Sequence, residues 1–120
     1  MEFKVGDNQI ILSDNSKINL PFPVKKVLVI NEQLFVLIDD DLGRKYGDHS
    51  LDRNVYSFSN KGDMLWQIEP SSHGSKDQPK PYMDIKLEDN IVTAYNWIGV
   101  DYEVDNTTGA IKAFGTSRPW

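Results

Sequence analysis

A chain of 120 residues without a cysteine is long enough for one unstapled hydrophobic core, and it excludes disulfide frameworks, thiolate zinc sites and thiol nucleophiles together. Its net charge of −5, from 18 acidic against 13 basic side chains, disfavours nonspecific nucleic-acid binding, which draws on Lys and Arg, and makes a basic partner the natural complement. Met1-Glu2-Phe3-Lys4-Val5 has neither the basic region nor the apolar run of a secretory signal, and no stretch approaches the ~20 apolar residues of a membrane span, so the cytoplasm is the expected compartment.

Along the chain the apolar residues alternate at period two in runs of about 4–7, the pattern of strands with one buried face. Residues 1–23 hold N-terminal strands: Gln9–Ser13 follows the Gly6-Asp7-Asn8 turn, and Ile18–Leu20 precedes the extended connection Pro21-Phe22-Pro23. Residues 24–69 form a first four-strand meander. Val24–Ile30 and Leu34–Asp39, joined by Asn31-Glu32-Gln33, are its most apolar runs and are expected at its centre. Past the polar stretch Asp40–Asp52, Asn54–Ser59 and Met64–Glu69 flank Asn60-Lys61-Gly62-Asp63, where Gly62 supplies the positive φ of a tight turn. Residues 70–82 carry Pro70, Pro79 and Pro81 with no periodicity, so an exposed dividing loop is expected. Residues 83–114 form a second meander of Asp84–Glu88, Ile91–Asn96, Val100–Asp105 and Ala110–Phe114, and residues 115–120 are a tail.

The halves resemble each other. Tyr56-Ser57-Phe58-Ser59-Asn60-Lys61-Gly62 parallels Tyr102-Glu103-Val104-Asp105-Asn106-Thr107-Thr108-Gly109 with one inserted residue. Four strands per unit is the habit of a propeller blade, but two units cannot close a ring that needs at least about four. The expected fold is therefore all-β: antiparallel meanders forming a β-sandwich or curled sheet, resembling two propeller blades, with the N-terminal strands guarding an edge.

Chemistry-bearing motifs are few. His49 and His73 sit in polar segments without a second ligand at metal spacing, and no nucleophile elbow, zinc-helix or phosphate-loop motif is present. Asp39-Asp40-Asp41 lacks the alternating order of a calcium loop. No residue stands out as catalytic, metal-ligating or cofactor-binding, and a binding protein rather than an enzyme is expected. Charge is the stronger signal: Asp84, Glu88, Asp89, Asp101, Glu103 and Asp105 lie close together in sequence against the single Lys86. In Val100–Asp105 the apolar Val100, Tyr102 and Val104 alternate with Asp101, Glu103 and Asp105, which strand geometry sends to one face. The expected partner-binding residues are Asp84, Glu88, Asp101, Glu103 and Asp105, with Asp39, Asp40, Asp41 and Trp97 beside them. Trp66 is expected in the core, on one strand face with Met64 and Ile68. Trp120 closes the tail.

The strings Asn54-Val55-Tyr56-Ser57-Phe58, Gly62-Asp63-Met64-Leu65-Trp66-Gln67-Ile68-Glu69 and Ala94-Tyr95-Asn96-Trp97-x-Gly99 resemble those of immunity proteins of contact-dependent growth inhibition and related bacterial polymorphic toxin systems. The likeness runs from about Val24 to Phe114. It implies a cytosolic antitoxin that binds the toxin domain delivered by a neighbouring cell, frequently a nuclease with a basic cleft, and blocks its active site. The alternative is a small-molecule or carbohydrate-binding β module using Trp97, Tyr95 and the Pro70–Pro81 loop as an aromatic site.

Overall fold

The structure, a computed structural model, describes residues 2–39, 53–71, 81–96 and 100–116, with residues 114–116 described by their backbone. Leu34-Phe35-Val36-Leu37-Ile38 has no polar face, and all five residues are 0% exposed. Leu34, Val36 and Ile38 point into one apolar cluster with Ile10, Leu12, Ile18 and Phe58, whereas Phe35 and Leu37 point into another with Trp66, Tyr82, Ile85, Val92 and Tyr102. A strand buried on both faces belongs to the middle of three layers.

Among the described residues the strands are β1 (Phe3–Val5), β2 (Gln9–Leu12), β3 (Lys17–Asn19), β4 (Val24–Ile30), β5 (Gln33–Ile38), β6 (Val55–Ser59), β7 (Met64–Gln67), β8 (Tyr82–Glu88), β9 (Ile91–Asn96), β10 (Val100–Val104) and β11 (Ile111–Thr116). They form three antiparallel meanders, β1-β2-β3, β4-β5-β6-β7 and β8-β9-β10-β11, each in chain order. No helix among the described residues is long and apolar enough to cross a membrane.

The all-β expectation holds, with local corrections. β1 adds a strand that Phe3-Lys4-Val5 is too short to announce. The N-terminal strands cover a face of the middle sheet through Ile10, Leu12, Ile18 and Leu20 rather than guarding an edge. The Pro-rich divider is anchored inside at its ends: Ser71 is 5% and Tyr82 1% exposed, and β8 begins at Tyr82. At the other boundary β11 runs to Thr116, into the expected tail. Trp66 is buried with Ile68, but Met64 is 61% exposed. Opposite β6, Trp66 pairs with Ser57 and Met64 with Phe58, so Leu65 is an extra residue that reverses the alternation.

The repeat has structural substance. Lys25 bulges out of β4 and Met83 out of β8 at the same place in their hairpins. Both hairpins then turn through two positive-φ residues, Asn31-Glu32 and Asp89-Asn90. Gly62 and Gly109, each with positive φ, serve the later hairpins. The packing repeats as well: Tyr56 and Phe58 of β6 face the N-terminal sheet, and their counterparts Tyr102 and Val104 of β10 face the middle sheet. Each sheet thus turns the same face to its predecessor, the stacking sense of propeller blades.

The Asn31-Glu32 turn carries a testable cost. Glu32 holds φ 64, a conformation that crowds any Cβ, and its compensation is one exposed hydrogen bond, Asn60 Nδ2 to Glu32 Oε2 at 3.2 Å. Glu32→Gly is expected to raise stability by about 0.5–1 kcal/mol, read as a higher urea midpoint at unchanged slope.

A charged outer face as candidate docking site

Strand pairing, rather than proximity in sequence, assembles the site. Asp101 stands opposite Tyr95, and Tyr95 opposite Asp84, giving one row across β10, β9 and β8. The next outward row is Lys112, Glu103, Thr93 and Lys86, and Glu88 pairs with Ile91 beyond it. Side chains of the interleaving row, Tyr102, Ala94 and Ile85, are buried at 0–2% exposure. Asp84, Glu88, Asp101 and Glu103 therefore share the outer face of the third sheet, with Tyr95, Thr93 and Ile91 as its spine.

The face is less acidic than its strand sequences suggest. Lys26 reaches from β4 to Asp84 Oδ1 at 3.0 Å, an ion pair whose side chains are 38% and 27% exposed. The same oxygen accepts the Ile85 N–H at 2.9 Å. Lys86 lies over the Tyr95 ring, 5.6 Å from its centroid, in cation–π contact. Lys112 stands cross-strand from Glu103. Sequence reasoning had no signal for Lys26, which arrives from another sheet, or for Lys112, whose facing depends on the register of β11.

Asp105 leaves the face. It stands past the end of β10, where its Oδ1 accepts the N–H groups of Thr107 at 2.8 Å and Thr108 at 3.2 Å and fastens the β10–β11 turn. Asp39 sits half buried at the end of β5 in the middle sheet, its N–H donating to Pro23 O at 2.8 Å. Asp40, Asp41, Trp97, His49, His73, Trp120 and residues 72–80 of the Pro-rich loop lie outside the described residues. Of the alternative aromatic site Tyr95 is described, on the outer sheet face beneath Lys86, together with Pro70, Ser71 and Pro81 at the ends of the loop. No three His, Asp or Glu side chains among the described residues gather as metal ligands.

At one end the face runs into a hollow of about 460 Å³ lined by Ile91, Glu103, Asp105, Asn106 and Lys112. Ile91 is 43% exposed and forms an apolar spot amid the charges. The repeat makes the character of the face plain. The middle sheet presents Leu28, Ile30, Phe35, Leu37 and Val55 to its successor. At the corresponding positions the third sheet presents Lys86, Glu88, Thr93, Tyr95 and Asp101. Charges and hydroxyls have replaced the apolar stacking surface, so this face suits water and polar partners rather than another apolar sheet.

Fold and face together define an all-β protein of stacked, propeller-like sheets with one charged outer face. The chain belongs to the family described as a domain of unknown function, DUF7957, which residues 1–116 match. No curated protein matches the chain.

Proposed function

We propose that this protein is a cytoplasmic immunity protein that binds a basic toxin domain, a nuclease by the resemblance of its hairpin strings, and blocks its active-site cleft with the outer face of the third sheet. The observation that carries the reading is the register that gathers Asp84, Glu88, Asp101 and Glu103 on one exposed face around Tyr95 and Ile91. Exposed ion pairs within a protein contribute only about 0–1 kcal/mol, whereas close charge pairs across an interface couple by about 1.5–7 kcal/mol. Carboxylates placed this way gain more from a cationic partner than from self-stability.

The test starts from the neighbouring gene. The open reading frame preceding this one is expected to encode a toxin domain, and the purified pair is expected to form a complex whose affinity falls with salt. The double substitution Asp101→Lys/Glu103→Lys should weaken that complex at least about tenfold and flatten its salt dependence. Unchanged affinity would remove this face from the interaction. Absence of any toxin-bearing neighbour, together with no protection of a toxin-expressing cell, would remove the function.

A further inference from the structure

Two interfaces inside the chain follow one rule: the forward face of each sheet receives the same rear face of the next. Among the described residues, two outer sheet faces stand outside that rule. One is the charged forward face of the third sheet. The other is the rear face of the N-terminal sheet, which carries Lys4, Gln9, Ile11, Lys17 and Asn19. We propose that two copies of this chain close head to tail, the N-terminal sheet of each covering the charged face of the other, to give a ring of six sheets.

The charge rows match. On the N-terminal sheet Lys4 pairs with Ile11 and Ile11 with Lys17, a cation–apolar–cation row across β1, β2 and β3. On the third sheet the row across β8, β9 and β10 is Asp84, Tyr95, Asp101. Neighbouring strands lie ~4.8 Å apart, so the outer charges of each row are separated by about 10 Å on both surfaces. Ile11 then meets Tyr95 beside the Lys86 ammonium that lies over its ring, while one ammonium group of the row meets Asp101 and the other joins Lys26 at Asp84. The adjoining row on the N-terminal sheet is the amide pair Gln9 Nε2 to Asn19 Oδ1, 3.0 Å, which is neutral and meets the mixed charges of Lys86, Glu103 and Lys112 without a like-charge clash. Lys26 already bonds Asp84 and sits beside this contact.

Closure follows from the count. A heterologous contact either closes a ring or propagates as a filament. Two chains of three sheets supply six, inside the four to eight that close radially. The first strands of the middle and third sheets approach each other as an axis requires: Lys25 Nζ donates to Met83 O across the β4–β8 junction at 3.5 Å. The ring uses the face assigned above to the toxin, so a second copy and a toxin exclude one another, but it does not depend on the toxin reading.

Sedimentation velocity of the full chain from low to high micromolar concentration tests it. The expected result is a reversible dimer. Lys4→Glu/Lys17→Glu and, separately, Asp84→Lys/Asp101→Lys should each raise its dissociation constant at least about a hundredfold, about tenfold for each of two identical interfaces. An equimolar mixture of the two charge-reversed chains restores complementarity at both interfaces and should regain the dimer mass. A monomer throughout, a dimer indifferent to these reversals, or an open polymer would each overturn the proposal. Lys4 and Lys17 lie off the toxin face, so the Lys4→Glu/Lys17→Glu chain should bind toxin at least as well as the native chain, which separates failure of the ring from failure of the immunity reading.

Discussion

Asn54→Leu is expected to destabilise the protein by about 3–5 kcal/mol, about a fifth or more of the ~5–15 kcal/mol that holds a domain of this size together. Asn54 is 1% exposed and lies between two sheets. Its Nδ2 donates to Ile38 O at 3.1 Å and to Tyr82 O at 2.9 Å, and its Oδ1 accepts the Tyr82 N–H at 2.9 Å. One amide thus acts as a strand neighbour for the first residue of β8 and ties it to the end of β5. Leucine fills a similar volume but orphans three buried backbone groups at about 1–3 kcal/mol each, less what relaxation recovers. Equilibrium urea unfolding measures the loss. A change below about 1 kcal/mol would mean the junction rehydrates and Asn54 is no staple. The Tyr82 side chain strengthens the same junction: its hydroxyl donates to Glu69 O at 2.7 Å, and burial pushes the phenol above its ordinary range, so it remains a donor.

Gly109→Ala should cost about 2–5 kcal/mol, more than Gly62→Ala at the equivalent turn of the other repeat. Both glycines have positive φ, 76 and 91 respectively, so each alanine bears a backbone penalty of about 1–2 kcal/mol. They differ in what the new methyl meets. At Gly62 the nearest atom is Leu12 Cδ1 at 3.5 Å, an ordinary contact, whereas at Gly109 the Trp66 ring lies at 2.6 and 2.8 Å. Trp66 has little room to retreat, because its indole N–H donates to Asn106 O at 2.8 Å and its ring packs against Phe35, centroids 5.8 Å apart. Overpacking of this kind adds about 1–3 kcal/mol. Unfolding midpoints for the two variants should therefore separate clearly. Equal midpoints would show that the ring slides aside freely.

These two sites mark the limit of what the chain discloses before it folds. Strand existence was legible because alternation is a local property, and the central place of Leu34–Ile38 followed from its lack of any polar residue, whereas Val24–Ile30, expected at the centre with it, is an edge strand that carries Lys25 and Lys26. Gly62 was legible as a turn residue for the same reason. Asn54 was not, since its three partner groups lie 16 and 28 residues away and alternation makes it look like the first residue of an ordinary strand. Bulges were equally silent: Leu65 reads as a regular strand residue, yet it sends Met64 to solvent and Trp66 to the core. At the candidate face, the acidic residues were visible from their clustering, but the alternation that grouped Asp105 with Asp101 and Glu103 stopped one residue short of it. Lys26 and Lys112, which temper the field of that face, belong to it only through packing and register.

The doubly buried strand carries a liability of another kind. Before the outer layers arrive, Leu34-Phe35-Val36-Leu37-Ile38 is an uncharged, β-prone segment without proline, the composition that templates cross-β aggregation. In the native fold β4 and β6 occupy both its edges and the flanking sheets cover both its faces, so the hazard exists only while the chain is on the ribosome or unfolded. Asp39-Asp40-Asp41 follows it directly in the chain, where gatekeeping charges do most to keep unfolded copies apart. That acidic run thus has a reason to exist that requires neither a metal nor a partner.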